Sequence, residues 1–576
     1  MSTYQAFRRT AVPAQAAQKQ ETASFPAPTR GLVLDENYAY MQPGGAVVLD
    51  NWRPTLRGVA LRSGCILHSD LHLLDKVSAI WDLANWDMAK WDHVDPNYSS
   101  RKPVISAFSY QSASNQKMFA ANADRLVDVT ATYTDADPIL VRQPHGSGNY
   151  CFSQLSNQGG DWGIAVNEAG DFPLRYDGTT WTELNPDAVP VPPNLFSGPT
   201  GSNVEFGKNL THVCKYRNRY YFIEASSMNA WYLPTDAVGG SLNMIPLSGA
   251  ASLGGKLMFC TVWSIDGGDG PDDKLIFVTS LGEVLVFSGS DPSTATNWRQ
   301  EGRYRISPPM GMNAYLALGG DVLIATMAGI IPVSACINKT YEQMELAAIT
   351  KSIKMMWRDE VTAKRSWNNW TMCHWEKYDG VVVTWPGSTP GYCAVMNAAT
   401  NAWCRFVGYD ATCFIKMGDD LYFGTQDGKI MLADRTGMDD GLPYTASLVG
   451  GWEVFQSPGQ TLTWRQSRAS FFATPGQYFR PQLSACADYV VTLPPAPNAG
   501  PDPGIFDVWD QGLWDTAKWD QVGVPEPVVR NTMWVSIGRT GFSLAPVVQV
   551  TVAQRAPPEV ELITVNAVFD RAGIDV

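Results

Sequence analysis

Aspartates set beside glycines and tryptophans are the patterns in this 576-residue chain whose types and spacing suggest chemistry. "DGGDGPDD", Asp266 to Asp273, gathers four carboxylates around three glycines. A calcium loop needs aspartates at alternate positions, a glycine and a later glutamate. The spacing here is different, so a solvated turn is the stronger reading and a Ca²⁺ site the weaker one. "RYDGTTW", Arg175 to Trp181, is close to the Asp-box of sialidase propellers, but Gly178 directly follows Asp177 and the leading serine is missing. It reads as an Asp-Gly hairpin turn. Glycoside hydrolysis would need two carboxylates set across a cleft, and 56 acidic residues nominate no such pair. The six histidines (68, 72, 93, 145, 212, 374) are dispersed, and His212 and His374 fall in strand-like runs, where a packed imidazole is expected. No C-x-x-C occurs among the ten cysteines, which read as free buried thiols suited to a reducing compartment. No catalytic, cofactor-binding or metal-ligating residue is assigned, and a non-enzyme is expected.

A second pattern is a repeated cassette. "WDLANWDMAKWDHV" places Trp-Asp pairs at Trp81 and Asp82, Trp86 and Asp87, and Trp91 and Asp92. "WDQGLWDTAKWDQV" does so again at Trp509 and Asp510, Trp514 and Asp515, and Trp519 and Asp520, with nine of fourteen positions identical. Tryptophans every five residues make a continuous stripe on neither a helix nor a strand. A compact knob of stacked rings, with each Asp closing a turn, is the plain reading. Aromatic knobs also make docking anchors, so the twelve residues are the interaction candidates. These are not propeller WD repeats, which recur at about 40 residues with a Gly-His partner.

The elements that must position these residues are short strands. Seven successive units, from "PVISAFSY" to "GKIMLAD", each hold two or three apolar strands joined by Gly, Asn or Asp turns. "GGDVLIATMAGIIPV" and "GDDLYFGTQDGKIML" show the shared pattern best. Small sheets repeated in this way cover one another's faces by closing radially, which predicts a six- or seven-bladed β-propeller over 100–435. Tyr341 to Val361 has apolar residues at 344, 347, 348, 353 and 356 and predicts one substantial helix. Longer alternating strands in 436–576, together with a β segment over 31–99, predict a β-sandwich-like platform built from both ends of the chain. Residues 1–30 read as an extended polar arm. Each end segment holds one cassette.

Composition narrows the function. Hydrophobic residues make up 45% of the chain and include 21 Trp, enough for several cores, and 50 Gly and 38 Pro favour turns over long helices. A net charge of −13 without any Lys/Arg-rich run argues against gripping nucleic acid through its phosphates. No stretch approaches the apolar length of a membrane span, and neither a signal peptide nor a membrane anchor is read.

Pro43 to Cys65 ("PGGAVVLDNWRPTLRGVALRSGC"), Phe259 to Ser293 and Val395 to Asp434 resemble the tail nozzle, or tail tubular protein B, family of short-tailed bacteriophages. The resemblance extends over roughly residues 30 to 575. It implies a structural protein of the virion tail, assembled in the host cytoplasm. Six copies would form a tube below the portal and adaptor rings, carry tail fibres or spikes, retain packaged double-stranded DNA and conduct it during ejection. The rival expectation is a tail-associated receptor-binding or glycan-degrading protein.

Overall fold

The computed structural model describes residues 20–71, 102–113, 115–133, 138–202, 204–264, 273–294, 296–365, 369–385, 391–455, 460–474, 479–500 and 527–571. Seven small sheets follow one another along the middle of the chain. Five are four-stranded, one is three-stranded, and one is formed by the first four strands of an eight-stranded sheet. Blade 1 runs from Ser106–Gln111 to Ile139–Arg142 and blade 2 from Tyr150–Asn157 to Trp181–Glu183. Blade 3 spans Leu210–Tyr216 to Asn243–Pro246, and blade 4 spans Leu257–Trp263 to Trp298–Arg305. Blade 5 is the three-stranded sheet Tyr315–Leu318, Asp321–Thr326 and Gly329–Pro332. Blade 6 runs from Thr371–Trp375 to Ala402–Val407, and blade 7 begins with Ala411–Met417, Asp420–Thr425 and Lys429–Thr436.

Alternation along these strands leaves apolar side chains on both faces of each sheet, and neighbouring sheets bury them against each other. Tyr110, Phe119 and Tyr176 fill the space between blades 1 and 2. Val213, Phe222 and Ile164 do so between blades 2 and 3, and Ile276, Val286 and Ile324 between blades 4 and 5. The series closes on itself where Ile415, Tyr422 and Ile430 of blade 7 meet Met118 and Val127 of blade 1. The molecule is therefore mainly β, with a β-propeller at its centre.

The fourth strand of blade 7 comes from far upstream. Gly64–Asp70 pairs with Lys429–Thr436, setting Leu67 opposite Met431 and Ile66 opposite Leu432. This is a difference from the expected boundary at residue 100: part of the N-terminal β segment belongs to the ring. A propeller closed only by packing between its first and last blades could spring open, and a strand borrowed from another part of the chain ties that seam with backbone hydrogen bonds.

The platform is a sandwich drawn from both ends of the chain, as expected. One sheet centres on the 12-residue strands Leu462–Ala473 and Val560–Arg571, flanked by Glu21–Pro26, Trp52–Pro54, Val59–Leu61, Val528–Asn531 and Val535–Gly541. The other continues blade 6: Ala402–Val407 neighbours Ala46–Asp50, followed by Tyr444–Gly450, Leu544–Val552 and Gln482–Ala487. Trp464, Phe471 and Leu562 of the first sheet share a core with Leu448, Val548 and Val550 of the second.

Two expectations are corrected. The arm 1–30 contains a strand, Glu21–Pro26, because inward-facing Phe25 stacks on Trp464 at 5.2 Å. The single helix over Tyr341–Val361 is instead a chain of short turns followed by one helix, Lys354–Lys364. The break falls at Ala348, where the backbone is extended. There the Ile349 amide donates to the Ile330 carbonyl, and the Ile330 amide donates to the Thr350 hydroxyl. Pairing with blade 5 outcompetes helical propensity at this point.

Candidate functional site

Two places gather polar groups that sequence alone left scattered. At the propeller axis the inner strands of blades 3, 4 and 5 bring together His212, Cys214, Cys260, Phe259 and Tyr315. His212 Nε2 lies 3.2 Å from the Tyr315 hydroxyl, the Cys214 and Cys260 sulfurs are 3.0 Å apart, and Tyr315 stacks on Phe259 at 4.6 Å. Such a set has the residue types of a nucleophilic centre, which needs a thiolate and a base of matched pKa. The environment pushes the other way. Burial drives the His212 imidazole down to about 3 and, with Cys214 beside it, drives the Cys260 thiol well above its ordinary value. Both stay neutral and act as packing. Beside this plug lies a cavity of about 420 Å³, bordered by Ser106, Phe108, Cys151, Asn313, Tyr315 and Met372.

The second place is the junction of propeller and platform, centred on Arg62. Its side chain is 1% exposed, yet all five guanidinium N–H donors find acceptors. Two go to the Asp439 carboxylate at 2.6 and 2.8 Å, one to Asn51 Oδ1 at 2.7 Å, and the others to the carbonyls of Val407 and Ser63 at 2.9 and 3.0 Å. The rings of Tyr444 and Tyr409 lie 4.1 and 4.5 Å from the guanidinium carbon. Burial alone would discharge the arginine, but the Asp439 pairing outweighs it and raises its pKa.

Asn51 extends the network. With φ at 62°, it donates to the Thr445 carbonyl and accepts from the Val407 amide, both at 2.8 Å. Next to it Arg405 grips the Asp50 carboxylate through two nitrogens, at 2.6 and 2.9 Å. A β-carbon on Gly64 would fall 1.9 Å from the Met438 carbonyl oxygen, so only glycine lets the two segments approach. Residues 50–64, 405–409 and 438–445 are thereby locked together. The saturated donors leave nothing to offer a substrate, so the junction is a mechanical joint. Its one local signal was an arginine inside the apolar run "GVALRSGC".

The remaining candidates can be placed. All twelve cassette residues, Trp81 to Asp92 and Trp509 to Asp520, lie outside the described residues, as does most of Asp266–Asp273. Asp273 itself accepts from the Ser264 hydroxyl at 2.6 Å through its carboxylate and from Tyr216 through its carbonyl. Asp177 forms the expected turn: its Oδ1 accepts from the amides of Thr179 and Thr180, and Leu174–Tyr176 pairs with Trp181–Glu183 across it. Burial opposes its ionisation, but hydrogen bonds from both threonines prevail and bring the carboxyl down to about 2. His212 is the packed imidazole expected, whereas His374 is partly exposed and 3.3 Å from Asp379. Nine of the ten cysteines are buried and all are free. Among the described residues no cluster of three or more His, Cys, Asp or Glu side chains is placed to hold a metal ion. No described helix is long and apolar enough to cross a membrane.

The class defined by this geometry is a β-propeller joined to a β-sandwich platform. No family model and no curated protein matches the sequence. Among solved structures, Sqt1 of Saccharomyces cerevisiae is similar over 61% of this chain and 94% of its own, with 12% identity and a TM-score of 0.36. YCF48 from Cyanidioschyzon merolae is similar over 58% of this chain and 96% of its own, with 14% identity and a TM-score of 0.30. The propeller assignment rests on the strand pairing and packing above, and these distant likenesses add no functional argument.

Proposed function

We propose that this chain is a structural subunit of a bacteriophage tail nozzle. In this reading six copies form a tube below the portal and adaptor rings, bear tail fibres or spikes, retain packaged DNA and conduct it during ejection, with the virion tail as its place of action. The observation that carries the reading is the rigid joint. A conduit wall must bear load without bending, and here one sheet runs from blade 6 into the platform while the buried Arg62 network pins the seam. The net charge of −13 supports it as well, because a wall of like charge does not trap passing DNA.

The test is light scattering and electron microscopy of the purified protein, alone and with portal and adaptor proteins. Sixfold rings are the expected result. Stable trimers, or depolymerisation of host polysaccharide by the purified chain, would favour the receptor-binding or glycan-degrading alternative.

A further inference from the structure

The platform sheet ends in two opposite edges. Glu21–Pro26 pairs only with Val560–Arg571 on one side, and the broken strand formed by Val528–Asn531 and Val535–Gly541 pairs only with Leu462–Ala473 on the other. Neither outer side has a strand partner among the described residues. An open, apolar edge is a liability that soluble proteins blunt or use as an interface. Arg530, Arg539 and the break at 532–534 blunt the second edge only in part, because its apolar exposure is high. Of the 25 exposed large apolar side chains in the described residues, ten lie within 489–493 and 528–542. Met533 is 88% exposed, Phe542 55% and Trp534 41%.

The two edges are complementary. Leu462–Ala473 and Val528–Gly541 carry Arg465, Arg468, Arg530 and Arg539 and no acidic residue, in a chain of net charge −13. Arg465 is held by Asp570 at 2.5 Å, and Arg468 lies over the Trp534 ring at 4.9 Å. Beside the opposite edge, Glu21–Pro26 borders a groove of about 370 Å³, at the small end of ligand-sized pockets. Phe25, Phe455 and Phe569 line it, with Phe455 stacked on Phe569 at 4.2 Å and edge-on to Phe25 at 5.8 Å. Glu21 and Glu453 stand at the groove; Glu21 is already paired with Arg571 at 2.7 Å, whereas burial pushes the Glu453 carboxyl up, a cost that an arriving guanidinium would offset.

We infer that the Val528–Gly541 edge of one copy docks on the Glu21–Pro26 edge of a second copy, with Met533 and Trp534 entering the phenylalanine-lined groove. The contact is head to tail, uses different surfaces on the two copies, and closes into a ring when the rotation between copies allows. It names the contact surface of the ring proposed above and rests on that reading.

The test mixes full-length Thr22→Cys and Met533→Cys proteins with a short bis-maleimide, using the wild type as the control for native thiols. A cross-linked pair is expected in the mixture and absent from either variant alone. Met533→Asp with Trp534→Asp should raise the concentration for half-assembly at least tenfold while the circular dichroism spectrum stays unchanged. Cross-linking does not depend on that double variant folding. If the wild type forms rings but the double variant assembles equally well, the ring reading stands and this surface is wrong. A wild type that stays monomeric with its neighbours present overturns both. Cross-linking of Met533→Cys to itself overturns the head-to-tail geometry. Loss of duplex DNA affinity in the double variant, with assembly intact, would make nucleic acid the occupant and overturn the inference.

Discussion

The propeller and the platform use the same material, antiparallel strands with apolar alternation, and assemble it in opposite ways. Within a blade, the borrowed strand of blade 7 apart, partners are neighbours in sequence: Asn157 faces Gly160, and Leu318 faces Asp321. In the platform, Glu21 faces Phe569, Val59 faces Leu562 and Ala46 faces Gly450. Loop closure of that length has to be met before any contact rewards it, so the blades are expected to form first and the platform to close later. The Arg62 joint belongs to both, since it binds the ends of blades 6 and 7 to the first platform strands.

The sharpest way to break this contrast is at the joint. Arg62→Ala leaves the partly buried Asp439 carboxylate without its partner, and a loss of about 3 kcal/mol is expected by denaturant titration. Arg62→Met combined with Asp439→Leu should recover only part of it, because apolar packing replaces the pair while Asn51, Ser63 and Val407 lose their donor. Phe25→Ala removes the ring stacked on Trp464 and should cost about 3 kcal/mol. Hydrogen exchange should then rise at residues 564–569 and stay unchanged in blades 2 to 4. Equal loosening of the blades would show that the two regions are a single cooperative unit.

A smaller effect separates the axis from the platform. His212 is neutral when folded, with its pKa depressed from 6.5 to about 3, so the unfolded chain binds a proton that the folded chain does not. Stability should be full above pH 6.5 and fall as the pH drops toward 3, by about 2 kcal/mol at pH 5. His212→Phe should flatten that slope in melting curves. Asp177→Ala is the mildest change, about 0.5–1 kcal/mol, confined to blade 2. Because the Asp177 pKa is depressed from 3.8 to about 2, its contribution is present above about pH 4 and is lost between pH 4 and 2.

The same contrast explains what could be read before any coordinates. "GGDVLIATMAGIIPV" and "GDDLYFGTQDGKIML" signalled hairpins because their turns and strands lie within fifteen residues, and they stand in blades 5 and 7 as expected. The platform was legible as a class, since alternation over longer strands shows in composition. Its membership was not. Glu21–Pro26 hides between polar residues and prolines, and Gly64–Asp70 has no local mark of the blade it joins. The break at Ala348 is imposed by Ile330, nearly twenty residues upstream. The Arg62 joint was missed for the same reason: its carboxylate partner is 377 residues away.

The borrowed strand of blade 7 also sets a timetable for the ribosome. Gly64–Asp70 is made early, while Lys429–Thr436, its partner, follows some 360 residues later. At roughly 5–20 residues per second that is a wait of about 20–70 s. During it the nascent strand lacks its ladder partner and has only the short bridge from Ser69 to Tyr133 to hold it.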